Sequence, residues 1–258
     1  MLTFVGLGLY DERSVTVEGR DAVRGADRVF AEFYTSRLGG ATLDDLEAFH
    51  DTTVEVRDRA GVEEDPEPIL RAAQVGDAVF CTAGDTMIST THVDLRLRAH
   101  ERGIETRVVH GTTAATASAS LTGLQNYRFG KATTLPFPYG SMGVPESVTD
   151  TIDANLERGL HTLVFLDIKT EHDADRFMTA DVAAGLLADA SEDRLGVAVC
   201  RAGSPDPTVA ADRLSALADR EFGEPLHLLV IPGDLHHVES EALAELAGAP
   251  AALLPTDV

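Results

Sequence analysis

The chain has 258 residues, a length that buries one large hydrophobic core or two smaller ones. Its 43 acidic residues outnumber 21 basic ones, and the formal net charge of -22 disfavours nonspecific binding to nucleic acids. No run of about 18 apolar residues occurs, and the first residues lack a basic segment, so we expect no membrane span and no signal peptide. The expected location is the cytoplasm.

The acidic excess extends over both halves of the chain, and the only lysines are Lys131 and Lys169. This composition resembles that of proteins from halophilic archaea, where about 1 M salt shortens the Debye length to roughly 3 Å and screens the repulsion between acids. We therefore expect stability and activity to rise with salt. Cys81 and Cys200 lie in apolar β-like segments, which predicts two buried free thiols.

Strands and helices alternate in the first half, which indicates a parallel sheet with helices on its faces. The predicted elements are strand 2–8, helix 14–26, strand 28–34, a polar linker, strand 53–58, helix 66–74, strand 77–85, helix 92–103 and strand 104–111. The helix at 66–74 begins with prolines and ends at Gly76.

The second half starts with a helix of small residues at 112–122, followed by a long functional loop rich in Gly and Pro at 129–147. The remaining elements are helix 147–159, strand 161–169, helix 179–190, strand 195–203, helix 209–219, strand 226–233 and helix 237–248. The chain is thus predicted to be an α/β protein with two α/β lobes, 1–111 and 112–258. A hinge is expected at roughly residues 108–135, with a ligand cleft between the lobes.

Glycines and polar residues follow most of the predicted strands, and such exits from parallel strands share one edge of a sheet. Gly6 and Gly8 allow close approach of a ligand to the backbone. The third glycine of a dinucleotide-binding motif is absent, because its position holds Asp11. We expect Asp11 to cap the short helix that follows it.

Asp85 follows a glycine at the end of a buried strand, which makes it the first candidate for a ligand-binding acid. Its carboxylate either accepts hydrogen bonds from ligand hydroxyl or amine groups or caps the segment 86–92.

The histidines favour structural roles in this interpretation. His110 and His227 lie in or beside apolar strands and are expected in the core, and His236 and His237 are expected at an exposed helix start. The histidines and cysteines lack the spacing of zinc ligands, so no metal site is predicted. The chain also lacks a G-x-S-x-G nucleophile elbow, so Ser204 is interpreted as a turn residue.

A family resemblance is carried by the segments GLGLYDERSVTV, VFAEFYTS, AGDTMISTTH, GLHTLVFLDIK, RAGSPDPT and VIPGDLHHVESEAL. From residue 2 to about residue 254 the chain resembles the archaeal diphthine synthases, a branch of the tetrapyrrole methylase family. The resemblance implies two α/β lobes, a homodimer and S-adenosyl-L-methionine as methyl donor, with no metal. The implied substrate is the 3-amino-3-carboxypropyl-histidine of translation elongation factor 2, whose amino group is methylated to give diphthine.

The resemblance also implies which residues contact S-adenosylmethionine. They are Leu9, Asp85, Ile88, Thr113, Ala114, Leu166, Ala202 and His227. This moves His227 from a core residue to a cofactor contact. The family often has Pro after the Gly-Asp of this turn, where the chain has Thr86, and the segment 135–147 departs from related sequences. The substrate side is therefore the less defined part of the predicted site.

Methyl transfer from a sulfonium to an amine needs positioning and a neutral amine. No general base is identified from the sequence, and the working hypothesis is that water accepts the proton. Aromatic side chains near the hinge loop either face the growing cation or pack as core; they are Tyr127, Phe129, Phe137 and Tyr139. Two alternatives remain open, a cobalt-precorrin methyltransferase of the same fold and a non-catalytic dimer that binds a nucleotide.

Overall fold

The computed structural model describes residues 1–140, 143–169 and 175–255. The chain divides into two compact units, Met1–Thr113 and Ala114–Val258. The division falls two residues after the predicted position (113 against 111), and the hinge at 108–135 stays a prediction. Within the described ranges, no helix has the length and apolar character needed to cross a bilayer.

The first unit contains a five-stranded parallel sheet in the order β3-β2-β4-β1-β5. Its strands are β1 (Leu2–Gly6), β2 (Arg28–Glu32), β3 (Val54–Val56), β4 (Ala78–Thr82) and β5 (Thr106–Val109). β1 and β4 are buried along their whole length, because helices cover both faces of the sheet. The continuous apolar runs that predicted these strands reflect this double burial.

Four helices flank this sheet: α1 (Val17–Gly25), α2 (Leu43–His50), α3 (Glu67–Val75) and α4 (Val93–Glu101). Short 3-10 and π turns occupy Glu12–Ser14 and Ala60–Glu64. α2 lies in the predicted polar linker, where Thr42 and Asp45 form a reciprocal capping box that starts the helix. The two faces of the sheet pack into separate cores, one around Phe4 and Phe80 and one around Val5 and Val79.

The second unit contains a mixed sheet in the order β11-β10-β12-β7-β6. Its strands are β6 (Thr133–Leu135), β7 (Thr162–Leu166), β10 (Leu195–Cys200), β11 (Thr208–Arg213) and β12 (His227–Ile231). Only the pair formed by β6 and β7 is parallel within this described sheet. A separate antiparallel pair consists of β8 (Ile168–Lys169) and β9 (Arg176–Phe177).

Five helices complete the described part of the second unit: α5 (Ala114–Thr122), α6 (Glu146–Leu156), α7 (Ala180–Ala190), α8 (Leu214–Ala218) and α9 (His237–Ala247). Single 3-10 turns occupy Asn126–Arg128 and Ala251–Leu253. One face of the sheet packs a core around Leu187 and Leu217, and the other packs around Val199 and Leu243.

Two predicted elements of the second half were wrong. The segment 209–219 is not one helix, because Val209–Ala211 pair with β10 and only Leu214–Ala218 turn helical. The predicted loop 129–147 contains strand β6, while Ser141 and Met142 lie outside the described residues. An alanine-rich segment favours a helix by intrinsic propensity, and here sheet pairing overrides that preference.

The antiparallel pairing also changes which strand ends lie together. β7 and β10 both run antiparallel to β12, so their carboxyl ends share one edge of the sheet with the start of β12. The exit of β12 at 232–234 lies at the opposite edge. The condition for a shared edge, a parallel sheet, is therefore met in the first unit and not in the second.

Candidate functional site

The ends of β1, β4 and β5 meet backbone to backbone in the first unit. Gly8 N–H donates to the Gly84 carbonyl at 3.1 Å, and Gly84 N–H donates to the Gly8 carbonyl at 2.7 Å. A Cβ atom added to Gly6 would lie 2.5 Å from the Gly84 oxygen, and one added to Gly111 would lie 2.2 Å from it. Only glycine permits this approach at both positions.

Gly84 leaves open space at this junction. Its φ of +76° is in the left-handed region, and an added Cβ would meet no atom within 4 Å. The backbone of Gly84 is therefore open to close approach by a ligand at this point. The junction thus fits the cofactor that the sequence analysis predicts.

Asp85 is buried directly after this glycine and joins the exits of β4 and β5. Its Oδ1 accepts from Met87 N–H at 2.9 Å. Its Oδ2 accepts from the His110 Nδ1 at 2.7 Å and from Gly111 N–H at 3.2 Å. The segment 86–92 forms turns and bends and not a helix, so Asp85 caps the start of this segment through Met87 N–H but is not a helix cap.

His110 does not lie in the core, because its side chain is 78% exposed beside the buried carboxylate of Asp85. The strand pattern predicted burial, but His110 follows the last residue of β5 and projects from the sheet edge. Asp11 does cap Glu12–Ser14 as predicted, accepting from Arg13 N–H at 3.1 Å.

Four further predicted cofactor contacts follow the strand ends of the first unit or the boundary between the two units in the chain. Leu9 is half-buried after β1, and Ile88 is 48% exposed in the turn after Asp85. Thr113 ends the first unit, and Ala114 begins α5. The roles of these residues as cofactor contacts stay predictions.

Leu166, Ala202 and His227 are brought to one edge of the sheet in the second unit. Leu166 ends β7, Ala202 follows β10 by two residues, and His227 begins β12 opposite Cys200. The sequence places these residues far apart, and the antiparallel pairing explains why they meet.

The ring nitrogens of His227 are both used within the second unit. Nδ1 accepts from Ala180 N–H at 3.2 Å, so the proton resides on Nε2, which donates to the Glu224 carbonyl at 2.8 Å. Burial is the main cause that lowers the pKa of His227 and keeps it neutral. Its ring can meet a ligand through carbon atoms, while its nitrogens stay bonded to the protein.

Glu239 and His161 form a buried pair that the sequence analysis missed. Glu239 Oε1 accepts from His161 Nε2 at 3.0 Å and from Gln125 N–H at 2.8 Å. Its Oε2 accepts from Arg128 Nη1 at 3.1 Å and from His236 N–H at 2.8 Å. Burial raises the pKa of Glu239, but these donors outweigh it and lower the pKa overall.

Glu32, at the end of β2, is a second buried carboxylate that the pattern did not reveal. It accepts from Tyr34 N–H and Thr35 N–H at 3.0 Å each, and its Oε1 lies 3.6 Å from His92 Nε2. Desolvation raises the pKa of Glu32 despite these donors. A glutamate at the end of an apolar strand, inside VFAEFYTS, was the available signal.

The aromatic residues around β6 differ in exposure. Tyr127 and Tyr139 are exposed, whereas the Phe129 ring packs against the His161 ring with centroids 5.3 Å apart. The Phe137 ring already has the Arg176 guanidinium 4.7 Å from its centroid and the Lys169 ammonium 5.5 Å away. Phe137 thus faces cations of its own chain.

Histidines and cysteines show no metal cluster in the described part of the chain, where no three His, Cys, Asp or Glu residues are placed to hold an ion. His236 and His237 form the exposed start of α9, as predicted. Cys81 and Cys200 are buried free thiols, as predicted, and burial raises the pKa of each to about 12.

Comparisons with known proteins agree with this architecture. The family model of the tetrapyrrole (corrin/porphyrin) methylases matches residues 1–218. The diphthine synthase of Halorubrum lacusprofundi is 73% identical, covering 98% of this chain and 99% of that protein. The diphthine synthase of Halobacterium salinarum strain R1 is 72% identical, covering 97% and 99%. A crystal structure of a diphthine synthase superposes with a TM-score of 0.90 at 38% identity, covering 98% of both chains.

The chain therefore belongs to the tetrapyrrole methylase family, whose fold its two α/β units reproduce. Within that family it is a methyltransferase of the diphthine synthase type, as its full-length similarity to these haloarchaeal proteins shows.

Proposed function

We propose that the chain transfers methyl groups from S-adenosyl-L-methionine to the amino group of 3-amino-3-carboxypropyl-histidine in translation elongation factor 2, giving diphthine. The observation that carries this proposal is the similarity to diphthine synthases along the whole chain. We further propose that the enzyme acts as a homodimer in the cytoplasm and uses no metal.

The junction of β1, β4 and β5 supports a role in binding the methyl donor. Gly6, Gly84 and Gly111 remove side chains from the strand ends, and Asp85 fixes the turn that carries Ile88. We propose that this unit contributes Leu9, Asp85, Ile88 and Thr113 to the cofactor site.

The second unit contributes Ala114 at the start of α5 and the sheet edge formed by Leu166, Ala202 and His227 in this proposal. The neutral, internally bonded ring of His227 offers an apolar surface there. A neutral surface suits the neighbourhood of a sulfonium better than a second cation would.

S-adenosylmethionine, when bound, supplies a methyl group already activated by the positive sulfur. The chain has to hold the amine in line with that methyl group and shield both from water. Oriented reactants of this kind gain roughly 7–11 kcal/mol over free encounter. Strand ends fixed by backbone hydrogen bonds are suited to such positioning.

Titration calorimetry with S-adenosylmethionine in about 2 M salt tests cofactor binding, and mass spectrometry of the modified elongation factor tests transfer. Asp85→Asn replaces one of the two carboxylate oxygens by an NH2 group, which cannot accept a hydrogen bond from the donor that faces it. We expect this loss to weaken cofactor binding by about ten-fold. Asp21→Asn, at an exposed position of α1, is the matched control and should bind normally. Transfer to a precorrin but not to the factor would refute the proposed substrate.

A further inference from the structure

The pair formed by Asp85 and His110 has the arrangement of an oriented proton acceptor. The Asp85 carboxylate is buried and accepts hydrogen bonds, so His110 Nδ1, 2.7 Å from its Oδ2, carries the proton that is shared with it. In the neutral imidazole Nε2 then bears the lone pair. The ring is 78% exposed, and Nε2 forms no hydrogen bond within the described residues.

The carboxylate itself is held from the other side. Gly111 N–H donates to the same Oδ2 at 3.2 Å, and Met87 N–H donates to Oδ1 at 2.9 Å. These bonds leave the carboxylate little freedom to rotate, so the direction of the imidazole is fixed by a rigid partner. A buried carboxylate that selects the Nδ1–H tautomer is the geometry in which a histidine acts as a general base.

The position of His110 in the chain relates it to the proposed methyl donor site. Asp85 orients the ring of His110, and Thr113 lies three residues after His110 in the chain. Both Asp85 and Thr113 are proposed cofactor contacts. The Asp85 carboxylate already takes part in three hydrogen bonds, and both ring nitrogens of His227 are bonded within the protein. Neither residue therefore offers an accessible proton acceptor. His110 is the accessible base among these candidates.

We infer that His110 is the catalytic base that deprotonates the substrate amine, with Asp85 as its positioning residue; this rests on the proposed function. Nε2 takes one proton from the substrate ammonium. The freed nitrogen lone pair forms the bond to the methyl carbon as the carbon–sulfur bond breaks, and that bond's electron pair stays on sulfur. Each further transfer removes one more proton, so His110 returns its proton to water between rounds. This replaces the expectation that water is the direct acceptor.

Removing the base should slow turnover and leave the methyl donor bound. For His110→Ala we expect kcat to fall by about 100-fold, in the range of general base catalysis, with the Kd of S-adenosylmethionine within about two-fold of the parent value. Added imidazole should restore at least about ten-fold of the lost kcat, because it supplies the missing base. His100→Ala, an exposed histidine of α4, is the matched control and should show neither loss nor rescue.

A readout independent of turnover is the tautomer of His110, measured by nitrogen-15 NMR of the imidazole. We expect a proton on Nδ1 and a bare Nε2 in the neutral ring, and a mixture of tautomers in Asp85→Ala. A proton fixed on Nε2 in the parent protein would overturn the inference without any kinetic measurement.

The outcomes separate this inference from the proposed function. If the parent enzyme methylates the factor and His110→Ala does so at the same kcat, the inference falls and the function stands. The inference also falls if the variant is slow and imidazole restores nothing. If the parent enzyme neither binds S-adenosylmethionine nor methylates the factor, both fall.

Discussion

Each unit contains a hydrogen-bonded acid–histidine pair, and the two differ in what the second ring nitrogen does. In the second unit, His161 donates to Glu239 through Nε2 and accepts from Gly233 N–H at 2.9 Å through Nδ1. In the first unit, His110 bonds to Asp85 through Nδ1 and keeps Nε2 exposed. A histidine with both nitrogens bonded braces the fold, whereas one with a free, accessible nitrogen can exchange protons with a ligand.

The largest effect is expected from breaking the buried pair. All four partners of Glu239 are donors, so in Glu239→Gln the side-chain NH2 group must face one of them. The substitution also removes the negative charge that Arg128 and His161 contact. We expect a loss of about 3 kcal/mol in the free energy of unfolding. Urea unfolding followed by circular dichroism in about 2 M salt measures it. A loss below about 1 kcal/mol would show that the pair does not brace the unit.

The second largest effect on the free energy of unfolding is expected from acidification, which protonates the buried histidines. Burial is the main cause that lowers the pKa of His161 in the folded state, and it lowers that of His50 to about 4, with Arg24 and Arg20 adding to the effect. Their contribution to stability is present above the unfolded value of 6.5 and is lost as the pH falls toward the folded values.

The free energy of unfolding should therefore drop by about 2 kcal/mol between pH 6.5 and 4. Urea titrations at constant salt across this window measure the slope. A flat profile in the parent protein would contradict the buried, neutral state of these rings.

The smallest effect on stability is expected at the open pair. In Asp85→Asn the carbonyl can still accept from Met87 N–H, and the exposed His110 can bond to water, so Gly111 N–H is the donor left facing the amide nitrogen. We expect a loss of about 1 kcal/mol, close to one net hydrogen bond and well below the Glu239→Gln value. Equal losses for the two variants, measured by the same urea unfolding, would erase the distinction between a bracing and an accessible pair.

The sequence predicted the sheet of the first unit well because its strands are buried on both faces and appear as continuous apolar runs. It failed at β11, where Val209–Ala211 gain their strand conformation from pairing with β10. Long-range pairing of this kind leaves no local signal, since the same alanines favour a helix in isolation.

The residues of the candidate site likewise separate into those with a local sequence signal and those without one. Glycines and Asp85 at strand exits were visible, because small and acidic residues interrupt an apolar run there. The exposure of His110 and the burial of Glu239 were not visible, because a single position after a strand or in the first turn of a helix carries no information on its depth. Depth is decided by neighbouring elements, as α9 shows for Glu239, whose partners come from residues far away in the chain.

The two cysteines give each unit an internal reporter. Cys81 lies in β4 and Cys200 in β10, both shielded from solvent and both with a thiol pKa of about 12. A thiol reagent can modify either one only after the strand around it has opened. Alkylation rates read by peptide mass spectrometry would thus follow the opening of each sheet separately, in one unmodified sample and without any engineered label.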